Sequence, residues 1–179
     1  MRTKSDYFKL ALWFFPATVV TWGLHEFGHY ATGLLLGYDM FITFNHAGPT
    51  QGSYTSTNHD ILVGMAGPII TWVQAVIAWR MIMKRDQIEL YAFLFLPFAM
   101  RTMAMGLSYI AKPNDEASAS LLLGLPMWLL PVISVAFLLT LTISGSKKLG
   151  VGWKGNLLAY VMSSICTTIV IFLDQLIFS

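Results

Sequence analysis

The run His25-Glu26-Phe27-Gly28-His29 carries two imidazoles four residues apart, with a carboxylate directly after the first. On a helix, positions i and i+4 lie one turn apart on the same face, so both rings can aim a nitrogen at one metal ion. Glu26 then stands within reach of a water on that ion. A metal acidifies such a water, a carboxylate takes its proton, and the resulting hydroxide attacks a polarised carbonyl. The spacing therefore points to metal-assisted hydrolysis of an amide. The chain has only four His and three Glu, and shuffling that composition gives this pattern on the order of once in several hundred sequences.

The element that must position these residues is an unbroken apolar stretch from about Leu10 to Leu36. A charge at the centre of a membrane helix costs roughly 2.5–3.5 kcal/mol on insertion scales, so two His and a Glu within five residues of such a stretch need a functional reason. The 143 residues after Leu36 continue in the same style. The 179-residue chain is 56% hydrophobic and 11% charged, with mean hydropathy +0.64. Apolar runs of spanning length occupy about 10–36, 61–83, 89–111, 122–144 and 156–178, each near the ~20 residues that cross a hydrocarbon core. The expected fold is all-α: a single integral membrane domain over 1–179, a polytopic bundle of about five spans with no separate soluble module. The first run is too long for the apolar core of a secretory signal and is read as a retained span. Pro126 and Pro131 predict an irregular start to the fourth run, with regular helix from about Val132. Between the first two runs the chain is polar, and the alternation over Asp39–Phe44 predicts a strand or hairpin.

Net charge +2 arises from basic residues in the short interruptions, which report membrane orientation rather than nucleic-acid binding. Arg2, Lys4, Lys9, Arg80, Lys84, Arg85, Lys147, Lys148 and Lys154 all fall on one predicted side, which places the N-terminus in the cytoplasm and the C-terminus opposite. Cys166, the single cysteine, excludes an internal disulfide and a cysteine-based zinc site.

Catalytic zinc takes three protein ligands and keeps a position for water, so His25 and His29 need a third partner. Counting ~1.5 Å per residue from Lys9 puts the two His roughly 22–28 Å up their span, toward the end where the 112–120 connection emerges. Asp115 in that connection is the favoured third ligand. Glu116 comes next, and His46 and His59, in the polar loop on the same side, remain alternatives. Asn114-Asp115 ahead of Glu116-Ala117-Ser118 would also cap a helix. Arg101, inside the third run at a similar depth, is either an oxyanion-stabilising cation or a structural charge; the preferred structural partner is Asp174 of the last run. Gly64, Gly67 and Pro68 reduce bulk in the second run and favour close approach to the motif helix, and Gly23 and Gly28 flatten one side of the first run.

These residues resemble the site-2 protease family of intramembrane zinc metalloproteases, in a shorter, minimal form. The likeness rests on His25-Glu26-Phe27-Gly28-His29 in a membrane helix, Ala66-Gly67-Pro68 in the following span, and a downstream Asp near a membrane boundary. It covers about 10–120, roughly two-thirds of the chain, with 121–179 as additional spans. The resemblance implies His25, His29 and Asp115 as Zn2+ ligands, Glu26 as general base, and a transmembrane or membrane-anchored protein as substrate. No Gly follows Asp115, unlike the Asp-Gly ending common in that family. A membrane zinc hydrolase of a lipid or small amide, or a non-enzymatic metal-binding adaptor, are the rival expectations.

Overall fold

The computed structural model describes residues 2–178. Among them six helices and one hairpin follow in chain order: α1 Lys4–Leu35, β1 Met40–Ile42, β2 Ala47–Pro49, α2 Thr57–Lys84, α3 Leu90–Ser108, α4 Asp115–Leu122, α5 Leu129–Leu149 and α6 Gly152–Phe178. Helix α1 starts where Thr3 and Asp6 form a reciprocal capping box, satisfying N–H groups the helix itself cannot. Ser56 caps α2 and Asn114 caps α4 by accepting the third residue's amide. Pro16, Pro68 and Pro97 sit inside α1, α2 and α3. In lipid such prolines are tolerated where neighbouring helices and hydroxyls satisfy the freed backbone groups.

Helices α2, α3, α5 and α6 are long and apolar enough to cross a membrane. Helix α1, with 32 residues the longest, is not among them, because His25, Glu26 and His29 dilute its apolar character. Its burial is nonetheless inside-out. Leu12, Phe15, Val19, Leu24 and Phe27 are exposed at helical spacing, while Thr18, Thr21, His25 and His29 are buried. From Thr18 onward the inner face is polar and the outer face apolar, the pattern of a helix solvated by hydrocarbon. The fold is the all-α bundle the composition predicts.

Three boundaries differ from the apolar runs. Helix α3 stops at Ser108 rather than 111; there the Ser108 hydroxyl donates to Ala104 O and accepts from Asn114 N, turning the chain. Residues 121–125, apolar though they are, finish α4 and enter a turn at Gly124 (φ 73°), so α5 begins at Leu129. Helix α6 begins at Gly152, directly after the left-handed Gly150 that ends α5.

Small residues let the helices approach. A Cβ on Gly28 would lie 3.1 Å from Ala66 O, so α1 and α2 cross with backbones nearly touching, the form of association available when lipid removes the hydrophobic drive. Gly23 and Gly64, by contrast, face open space. Leu10, Phe14 and Ala17 of α1 join Ala75 and Ile82 of α2 and Leu94 and Phe95 of α3 in the core.

The two ends of the bundle are distinct. At one end Arg2 pairs with Asp86 and donates to Leu149 O, and Tyr7 donates to Val151 O. These bonds gather the N-terminus with the α2–α3 and α5–α6 connections, and with them the basic residues. At the other end lie the hairpin, the start of α2, the end of α3, and α4. The hairpin pairs Met40 with Pro49, Phe41 with Gly48 and Ile42 with Ala47, in the segment where alternation predicts it. Asp174 of α6 accepts Phe44 N at 2.7 Å, and the Phe44 and Phe178 rings meet at 6.0 Å. This clasp ties the hairpin tip to the last helix. Asp174→Ala is expected to raise amide exchange at Phe44–His46 at least tenfold while leaving the helical amides of α2 and α3 unchanged; unchanged exchange at the tip would show that the clasp contributes nothing.

Candidate metal centre

His25 and His29 occupy successive turns on the buried face of α1, 3% and 6% exposed. Their Nε2 atoms lie 3.1 Å apart. Helix α4 brings Asp115 against them, with Oδ2 at 3.2 Å from His25 Nε2 and 3.8 Å from His29 Nε2. The i,i+4 spacing and the downstream carboxylate thus converge as the sequence predicts, and the three side chains form a group that could hold a metal ion.

The tautomer of His29 is set from behind. Its Nδ1 lies 2.7 Å from Val63 O on α2. A carbonyl only accepts, so Nδ1 carries the hydrogen and Nε2 presents a lone pair to the centre of the group. Arg101 Nη2 reaches His25 Nε2 at 3.5 Å, which favours a lone pair there too. Two imidazole lone pairs and a carboxylate oxygen therefore face one another. A single proton can bridge only one edge of that triangle, whereas one cation serves all three. His25 Nδ1 is buried without a partner. Gly67 on α2 makes room for the pair, since a Cβ there would overlap both rings. Of the glycines and proline singled out in the second run, Gly67 is the one that the centre requires.

Arg101 is the hub of a buried charge network, and the expected pairing with Asp174 does not occur. Its Nη1 donates to Asp115 Oδ2 at 3.0 Å and to Glu116 Oε2 at 3.2 Å, whereas Asp174 is spent on Phe44 N. Axial depth along α3 and α6 is compatible with an Arg101–Asp174 pair; the lateral packing of α4 against the bundle supplies nearer carboxylates. Arg101 thus holds the same Asp115 oxygen, Oδ2, that approaches the two imidazoles.

Two of the alternative third ligands, Glu116 and His59, are engaged elsewhere. Glu116 is fully buried, and its oxygens accept from Arg101, from Asn114 Nδ2 at 2.8 Å and from Ser134 Oγ at 3.1 Å. His59 Nδ1 meets the Tyr38 hydroxyl at 2.8 Å, tying the hairpin base to α2. The third, His46, packs on the Phe41 ring and lines the cavity in front of the group, outside its three converging atoms. As for capping, Asn114 accepts Ala117 N and so takes that role from Asp115. The Glu116 and Ser134 contributions were not predicted; Asn114-Asp115-Glu116 in one polar turn was the available signal.

The group opens into a cavity of about 290 Å³ that is also lined by Glu26, Met100, Tyr54, Asp60 and the hairpin residues Asn45, His46 and Ala47. Glu26 is 4% exposed and shares this space with the metal-facing atoms. Burial, with Asp60 and Tyr38 beside it, pushes the Tyr54 phenol above its ordinary range, so it faces the cavity as a neutral donor. The chamber therefore combines a candidate cation site, two carboxylates outside that site, Glu26 and Asp60, and several neutral donors, at one end of a bundle whose exterior is apolar. No family model, curated protein or solved structure matches the chain.

Proposed function

We propose that this protein is an intramembrane zinc metalloprotease that hydrolyses peptide bonds of membrane-anchored protein segments. The observation that carries the reading is the convergence of His25 Nε2, His29 Nε2 and Asp115 Oδ2 beside Glu26 in a chamber within an apolar bundle. Tetrahedral zinc with bonds of ~2.0–2.1 Å sets its ligand atoms ~3.3–3.4 Å apart. The separations of 3.1, 3.2 and 3.8 Å straddle that value. A mixed His/carboxylate set of three suits zinc in its catalytic form, which takes three protein ligands and a water.

When bound, the ion would lower the pKa of a water and polarise the scissile carbonyl. Glu26 accepts the water's proton and delivers it to the leaving amine. His29 is held in the ligating tautomer by Val63 O, and Asp115 is held by Arg101. The two-stranded sheet leaves one edge of each strand unpaired, and β2 starts at Ala47 on the cavity wall. An extended substrate segment would satisfy its backbone there before its amide reaches the ligands. By the charge asymmetry, the N-terminus is cytoplasmic and the chamber lies toward the opposite side.

The test is product analysis after reconstitution in liposomes with transmembrane peptides, and separately with lipid amides. Peptide fragments cut within or beside the apolar segment, abolished by a chelator and restored by zinc, support the proposal. Turnover of lipid amides alone would instead identify a lipid hydrolase. Tight zinc binding with neither product would indicate a non-enzymatic adaptor.

A further inference from the structure

Helices α5 and α6 make few contacts with each other although they are consecutive and both pack on α3. The gap between them is a groove of about 470 Å³ toward the basic end of the bundle, lined by none of the residues that line the metal-centre cavity. Its floor is Phe95 and Phe98 of α3, and its outer walls are Leu139 and Ile143 of α5. The wall residues are 39% and 46% exposed, so the groove opens sideways to the surrounding hydrocarbon.

The two ends of the groove differ chemically. Toward the α5–α6 turn, Tyr91 donates to Asn156 Oδ1 at 2.6 Å, and Asn156 Nδ2 donates to Ser146 Oγ at 3.0 Å and Gly152 O at 2.9 Å. These polar groups satisfy one another. Lys147 at the same rim has no acidic partner within 4 Å among the described residues. It also lines the adjoining polar hollow with Arg2 and Lys148, where Asp86 is paired with Arg2 and Asp6 is engaged with Thr3. Lys154 lies over the Trp153 ring at 5.7 Å, an arrangement suited to the headgroup level of a bilayer. Deeper in the groove, Thr142 is 4% exposed and its hydroxyl has no partner. Along α5, Thr142 lies five residues, about 7.5 Å, below Lys147. In a phospholipid the ester carbonyls follow the phosphate in that order toward the tails, so a lipid seated here sets its phosphate at the free cation and an ester oxygen at the unpartnered hydroxyl. The aromatic floor then meets an acyl chain.

We propose that the groove between α5 and α6 is a binding site for one anionic phospholipid. Any lipid can fill an apolar gap, because hydrocarbon on hydrocarbon discriminates little in a bilayer. Selectivity here comes from Lys147, whose attraction to an anionic headgroup has a counterpart in basic pockets between spans. Phosphatidylcholine, whose phosphate is neutralised by its own choline, gains much less.

The experiment is native mass spectrometry of the full chain in detergent, titrated with phosphatidylglycerol or phosphatidylcholine of identical acyl chains. The expected result is one phosphatidylglycerol per chain, held at least fivefold more tightly than phosphatidylcholine. Lys147→Gln should bring the ratio close to one. Ile143→Trp, which fills the groove, should remove the bound lipid, and Lys148→Gln should leave the preference within twofold of wild type. Equal affinity for the two lipids in the wild type, or an undiminished preference in Lys147→Gln, would overturn the site. Since Lys147→Gln alters only an exposed side chain, misfolding does not confuse the reading.

Discussion

Glu26→Gln is expected to keep its bound metal and lose hydrolysis by about 10²–10⁴-fold, the usual contribution of a positioned general base. Glu26 lines the chamber but is not one of the three converging atoms. The amide is nearly isosteric with the carboxylate, so packing against α1's neighbours is preserved. What disappears is the capacity to take a proton from water and return it to the leaving amine. Metal content and single-turnover cleavage of a reconstituted transmembrane peptide measure the two properties separately. A variant that holds metal and turns over at the wild-type rate would remove Glu26 from the mechanism. One that loses both would make it a structural member of the site.

Arg101→Met is expected to be the most damaging single change to stability, by ~3–5 kcal/mol, the typical cost of stranding buried charge. Arg101 is the cation shared by Asp115 and the fully buried Glu116. Removing it leaves Glu116 with only neutral donors, Asn114 and Ser134, and frees Asp115 from the contact that aims Oδ2 at the two imidazoles. Thermal unfolding in detergent should fall by roughly 10 °C, and metal affinity should weaken with it. Glu116→Gln added to Arg101→Met should recover much of the stability, because the stranded charge is then gone, but not the aim of Asp115. A single variant that melts within a degree or two of wild type would contradict the network.

The ligand pair was legible because its geometry is local: four residues on a helix determine that His25 and His29 share a face. Asp115 was legible through topology, since the end of the third apolar run has to emerge at the depth of the motif. The acceptor behind His29 could not be read, because Val63 O is a main-chain atom and any residue at 63 would offer it; only the crossing of α1 and α2, through Gly28 and Ala66, puts it there. Arg101 shows the corresponding limit for side chains. Depth along a helix follows from counting residues, but which neighbour lies beside it depends on how α4 and α6 pack, and Asp174 was drawn to the backbone of Phe44 instead. Helix ends behaved similarly. Apolar character continues through Leu107-Ser108-Tyr109-Ile110 and through 121–125, whereas hydrogen bonding by Ser108 and the positive φ of Gly124 end the helices earlier.

Elemental analysis of detergent-purified protein asks whether α1 and α4 together hold a metal ion. Wild type, His29→Ala and Asp115→Ala are measured side by side after zinc reconstitution and removal of excess metal, with circular dichroism showing that each stays helical. The expected result is one zinc per chain in the wild type and substantial loss in both variants. A folded wild type that retains no metal, or an Asp115→Ala variant that retains a full equivalent, would contradict it.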